Sequence, residues 1–195
     1  MNPFKTLILL LFLFTTQRSS AQNIDINILK AINPQYPSSD LWKISSSSVY
    51  WLSGGITLGT LGYGLIKNDK RFRHNGFELL ITSGIGITTT ALLKKLFDRT
   101  RPADKYPGEV FVSSTTRGKS FPSGHTSEAF AVATTLSMQY KKWYVVAPAY
   151  LWAGCISYSR MYLGKHYPSD VLGGAVVGVA SSYFGHYLTK KLFRN

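Results

Sequence analysis

Three short stretches hold the side chains with the most chemical capacity. They read KKLFDRTRP at 94–102, FPSGHTSE at 121–128 and SRMYLGKHYPSD at 159–170. Arg101 and Arg160 are permanent cations whose planar forks grip phosphate oxygens two at a time, and Lys94 adds a compact point charge. Ser123 and the backbone at Gly124 add hydroxyl and N–H donors, the more so where a helix opening near His125 aims its positive end at them. Two of the chain's four histidines, His125 and His166, can then divide covalent chemistry at phosphorus. One attacks, and the other protonates the departing oxygen. Asp170, four residues beyond His166, sits one helical turn away if that segment is helical. There it fixes the imidazole tautomer, which supports His166 as the nucleophile. Read alone, Pro122-Ser123-Gly124 is only a turn followed by a helix start, and Lys94 is only a helix-end charge. The convergence of three segments is what makes a site.

The elements that must bring them together read as helices. Candidates run at about 45–66, 76–97, 125–140, 143–160 and 169–189, each rich in Gly, Ala, Ser and Thr as well as Leu, Ile and Val. Charged residues are only 16% of the 195, against about 25% in a typical soluble domain, which leans towards membrane. The basic excess, 22 Lys+Arg over 9 Asp+Glu, suits nucleic acid, an acidic membrane surface or an anionic substrate. Position decides among them. Lys67–Arg73, Lys141-Lys142 and Lys190-Lys191 with Arg194 fall at inner ends if the mature N-terminus is outside, as the positive-inside bias requires. No nucleic-acid partner is expected. The same topology gathers 98–124 and 161–168 on the outer side. Gly55 with Gly59, and Gly174 with Gly178, have the spacing that permits close helix packing in lipid.

Ahead of the helices, Lys5, the apolar run 7–14 and Ser19-Ser20-Ala21 read as a signal peptide over 1–21, cleaved after Ala21. Retention of that segment would make six spans instead of five. Residues 22–43 read as an exported surface segment with one short amphipathic turn and no chemistry, and 44–195 as the functional domain. A single cysteine, Cys155, allows no intrachain disulfide framework.

The pattern K-x6-RP at 94–102, PSGH at 122–125 and SR-x5-H-x3-D at 159–170 resembles the three-part signature of the type 2 phosphatidic acid phosphatase (PAP2) superfamily, complete at its defining positions. The resemblance implies an all-α helical bundle of PAP2 type. It also implies phosphate binding by Lys94, Arg101, Ser123, Gly124 and Arg160, His166 as nucleophile, Asp170 as its orienting partner and His125 as general acid. No metal or other cofactor is implied, and protein partners are unspecified. The expected enzyme hydrolyses a lipid phosphate among membrane lipids, in a bacterial inner membrane with its site facing the periplasm. A secreted, soluble, non-specific acid phosphatase of the same superfamily is the alternative. Lys95, Arg99 and Lys165 are expected as surface or headgroup charges, and Tyr158, Tyr162 and Tyr167 as interface aromatics. Glu128 is expected to compensate helix N-terminal charge, while His74 and His186 match no motif.

Overall fold

The computed structural model describes residues 18–193 except Thr116. The apolar run 7–14 expected in a signal peptide lies outside the described residues. Seven helices are described: α1 (Arg18–Ile32), α2 (Asp40–Ile66), α3 (Lys70–Phe97), α4 (Pro102–Lys105), α5 (Gly124–Tyr140), α6 (Trp143–Tyr162) and α7 (Pro168–Leu192). Five of them match the expected helices, with α2, α3 and α7 extended by a few residues at their ends.

Local chemistry explains several of the boundaries. Asp69 accepts from the N–H groups of Arg71 (2.9 Å) and Phe72 (3.2 Å), capping α3. Asp98 ends the same helix in a left-handed conformation, φ 46°. Pro168 occupies the first turn of α7, where its missing N–H costs nothing.

Helix α5 is the hub, in contact with α2, α3, α6 and α7. Its sequence permits this because alanine and hydroxyl side chains fill most of its buried positions. The packing surface is supplied unequally by the two glycine pairs. A Cβ at Gly174 would lie 2.5 Å from the Ser123 carbonyl oxygen, and one at Gly178 would lie 2.3 Å from that of Ser127, so both glycines are what let α7 meet α5. A Cβ at Gly55 or Gly59 would meet nothing within 4 Å. Their spacing is real, but among the described residues they line no helix contact. Ser182 Oγ adds an interhelical bond to the Ala131 carbonyl at 2.8 Å.

The basic ends cluster. Phe193 stacks on Phe77 with centroids 5.3 Å apart, and Gln139 Nε2 donates to the Asn75 carbonyl at 3.0 Å. These contacts bring the start of α3 and the ends of α5 and α7 together. His186 Nδ1 lies 2.6 Å from Glu78 Oε1 there, and His74 is the fifth residue of α3.

The bundle's outer surface is apolar. Trp51, Ile66 and Trp143 are each at least 80% exposed, as are large fractions of Leu58, Leu151, Leu172 and Val176. Such a continuous apolar exterior marks contact with something other than water. By length and hydropathy, Lys70–Lys105 and Pro168–Leu192 meet the requirement for crossing a bilayer. The N-terminal segment departs from expectation. Rather than one short turn it forms α1, which buries Ile26 and Leu29 with Val110 and Tyr167 and packs on α6 and α7. Asn33 then clamps three elements by exchanging two 2.8 Å bonds with Phe111 and donating to the Tyr162 carbonyl at 2.8 Å.

Candidate active site

At the end of the bundle opposite the basic cluster, the three chemical stretches meet. His166 lies in the turn before α7 and is buried, 2% exposed. Asp170 is the third residue of α7, where its Oδ2 accepts the Tyr167 N–H at 2.9 Å, one half of a capping box. Helix capping therefore fixes the carboxylate. His166 is not itself in the helix, as a strict helical turn between the two would require. Its Nδ1 stands 3.5 Å from Asp170 Oδ2, and its Nε2 is 3.4 Å from Arg101 Nη1. These partners assign the proton to Nδ1 and leave the Nε2 lone pair facing the guanidinium. Burial, reinforced by Arg160 and Arg101, pushes the His166 pKa down to about 3 against the opposing pull of Asp170. The imidazole is neutral at neutral pH.

Arg101 is rigidly held. Its Nε donates to the Gly118 carbonyl at 2.9 Å and its Nη1 to that of Lys165 at 2.8 Å. Burial lowers its pKa, yet an arginine stays charged. Arg160, 3% exposed, donates from Nη1 to Ser46 Oγ at 2.5 Å. Its Nε is buried with no partner among the described residues. Lys94 Nζ donates to the Lys119 carbonyl at 2.7 Å and lies within electrostatic range of Arg101, Arg160 and Asp170. Lys165, whose pKa is lowered by burial and by the two arginines, donates to Ser114 Oγ at 2.9 Å. It belongs to this cationic rim more than to an outlying surface.

Ser123 caps the junction of α5 and α7. Its backbone N–H donates to the Asp170 carbonyl at 2.9 Å, so that donor is already used, while its Oγ accepts from Thr126 Oγ1 at 3.0 Å. The hydroxyl proton of Ser123 and the first-turn N–H groups at Gly124 and His125 remain as donors at the helix start. His125, half-buried, meets the Tyr50 ring edge-on with centroids 4.9 Å apart. It lies within electrostatic range of His166, Arg160, Arg101 and Lys165. All eight residues singled out in the sequence thus come to one end of the bundle.

Two residues read as peripheral are central. Arg99 is not a surface charge: Nη1 binds Asp170 Oδ1 at 2.7 Å and Nη2 binds Asp25 Oδ2 at 2.6 Å, with the guanidinium 3.9 Å over the Tyr167 ring. Although burial pulls its pKa down, the two carboxylates hold it above the ordinary arginine value. Asp25, from the segment read as free of chemistry, also accepts the Ser169 N–H at 2.9 Å. Ser120 Oγ completes the Asp170 shell at 2.5 Å. Tyr167 is buried beneath Arg99 and is no interface aromatic. The one available signal was the count of cations in 94–102, which exceeds what a single anion needs.

Residues 75–194 match the family model described as the PAP2 superfamily. The chain belongs to the PAP2 superfamily. It is 32% identical over 142 residues to the lipid A 4'-phosphatase of Bacteroides thetaiotaomicron, an alignment covering 67% of this chain and 61% of that protein. An undecaprenyl-diphosphatase of Sulfolobus acidocaldarius is 31% identical over 109 residues, covering 56% and 52% respectively. The matched regions therefore take in only about half to three-fifths of those relatives' lengths. The crystal structure of Aquifex aeolicus LpxE superposes with a TM-score of 0.69 at 26% identity, covering 84% of this chain and 95% of that one. The all-helical architecture of this PAP2 member is thereby shared with solved members.

Proposed function

We infer that the protein is a membrane lipid phosphatase that transfers a phosphoryl group from its substrate to His166 and then to water. One observation carries this reading. Lys94, Arg101, Arg160 and Lys165 crowd around a neutral histidine, while the carboxylate beside that histidine, Asp170, is already bound by Arg99. Like charges held together at a half-buried site call for a polyanion, and a phosphate group supplies it.

In the first step, with His125 entering as the imidazolium beside the bound phosphate's negative charge, His166 Nε2 attacks phosphorus, the bond from phosphorus to the leaving oxygen breaks, and that oxygen takes the proton of His125, which becomes neutral. The developing positive charge on the imidazole is balanced by Asp170 through Nδ1–H. The charge on the equatorial oxygens is met by Lys94, Arg101, Arg160 and the α5 N-terminus. In the second step, His125 takes a proton from water, the hydroxide attacks phosphorus, and the bond from phosphorus to Nε2 breaks. Inorganic phosphate leaves and both histidines return to their starting forms.

The apolar exterior favours an integral membrane enzyme over the soluble acid-phosphatase alternative. Five helices, α2, α3, α5, α6 and α7, would cross the bilayer, with the basic cluster inside and the site on the periplasmic or outer face. A signal peptide over 1–21 fits that orientation. The relatives' names direct attention to lipid A phosphate and polyprenyl diphosphate as substrates.

The test is phosphate release by detergent-purified protein from lipid A, a polyprenyl diphosphate, phosphatidic acid and p-nitrophenyl phosphate, with EDTA present and with His166→Ala alongside. Turnover favouring lipids, insensitive to EDTA and lost in the variant, is expected. Preference for the soluble ester would establish the alternative, and full activity in His166→Ala would remove the nucleophile.

A further inference from the structure

A cavity of about 360 Å³ opens beside Lys94 and Gly124 and runs between α2, α3 and α5. From Lys94 it descends along α3 to Gly86, eight residues or about 12 Å at the helical rise. Its walls are mostly apolar, as a lipid chain requires, but its floor is not. Glu128, Ser127 and Thr90 line it, at 9%, 1% and 5% exposure. Glu128 Oε1 accepts from Ser83 Oγ at 2.7 Å. Glu128 Oε2, Ser127 Oγ and Thr90 Oγ1 are buried without a hydrogen-bond partner among the described residues, and the Ser53 hydroxyl stands beside the same carboxylate, within its electrostatic reach but short of a formed hydrogen bond. Side chains that line one apolar cavity from three helices thus carry polar atoms just beneath its wall that have no hydrogen-bond partner among the described residues. A polar atom left unmatched in such a place is costly, so the arrangement calls for a polar group to meet it.

Resting on the lipid phosphatase reading, we propose that this floor is a binding subsite for a hydrogen-bond donor, a hydroxyl or amide N–H, on the stem of the lipid. The geometry sets its place. Glu128 is four residues from Gly124, about 6 Å along α5, so the recognised group lies one to two helical turns below the phosphate. A stem of pure hydrocarbon leaves Glu128 Oε2 only the Ser53 hydroxyl to turn to, and ester carbonyls offer it no proton. A stem with a hydroxyl or amide satisfies it, with Ser127 and Thr90 free to donate or accept beside it. Glu128 therefore does more than offset charge at the start of α5. It selects among lipid phosphates.

The experiment compares ceramide 1-phosphate, which carries both an amide N–H and a hydroxyl near its phosphate, with phosphatidic acid of matched chain length, which carries neither. Wild-type protein in mixed micelles should favour ceramide 1-phosphate by about tenfold in kcat/KM, the scale of one buried hydrogen bond. Glu128→Leu should collapse that ratio towards one, and Glu128→Gln, which keeps an acceptor oxygen, should keep part of it. A wild-type ratio near one would overturn the subsite while leaving the lipid phosphatase reading intact. So would a ratio unchanged in a folded Glu128→Leu protein. If Glu128→Leu does not fold, the wild-type ratio and that of Glu128→Gln decide. Turnover of p-nitrophenyl phosphate but of neither lipid would overturn both the subsite and the reading it rests on.

Discussion

Asp170, the carboxylate proposed to orient His166, is itself held from the N-terminal helix, and Asp25→Asn tests that link. In the structure, Asp25 Oδ2 pairs with Arg99 Nη2 at 2.6 Å, and Arg99 Nη1 pairs with Asp170 Oδ1 at 2.7 Å. Asn keeps an oxygen for the Ser169 N–H but removes the charge that draws Arg99 inward. A hydrogen bond to a charged group contributes about 1.5–3 kcal/mol. The Arg99 side chain is 27% exposed, so solvent screening reduces this to about 1–2 kcal/mol. If that strain reaches the transition state through Asp170 and His166, kcat falls roughly five- to thirtyfold. Asp25 touches no substrate, so KM should stay within about twofold. Arg99→Lys should act in the same direction, because one ammonium cannot bridge two carboxylates as the guanidinium fork does. The double variant should be no worse than the poorer single one, since both break one chain of contacts. The assay is steady-state kinetics with the preferred lipid phosphate, accompanied by thermal unfolding. A normal kcat in Asp25→Asn with only a lowered Tm would refute the reasoning and reduce Asp25 to a fastener of α1.

Because burial holds the His166 pKa at about 3, its neutral form should persist as pH falls from 7 to 5 in the free protein. Nitrogen-15 NMR of labelled histidine, assigned with His166→Ala, should show no protonation of that ring over the range; titration near 6.5 would contradict it. At the α5–α7 contact, Gly178→Val drives side-chain atoms into the Ser127 carbonyl and should cost about 1–3 kcal/mol in detergent unfolding. Gly55→Val, in open surroundings, should stay within about 0.5 kcal/mol.

Much of this molecule was legible in sequence because its helices are separated by strong punctuation and its chemistry lies in contiguous runs. Lys141 and the Lys-Asn-Asp stretch at 67–69 mark ends that the structure keeps, and the residues of KKLFDRTRP, PSGH and SRMYLGKHYPSD carry their spacing on their face. What stayed hidden depends on contacts between distant segments. Asp25 lies 145 positions before Asp170, and nothing local distinguishes it from any exposed acid. Arg99 shares a run with Lys95 and Arg101, and only the fold decides that Arg99 turns to carboxylates while Lys95 stays exposed. Likewise, Gly55 with Gly59 and Gly174 with Gly178 show the same four-residue spacing. Among the described residues only the second pair faces another helix, because periodicity fixes a face of a helix and not what stands opposite it.

The proposed reaction passes through a phosphoryl group on His166, and rapid quenching of the enzyme with a lipid labelled in its phosphate by phosphorus-32 looks for that group directly. Protein-bound label is expected within the first turnover, stable to base, released by acid and absent in His166→Ala. Label-free protein throughout a turnover resolved on that time scale, with phosphate appearing directly in solution, would contradict it.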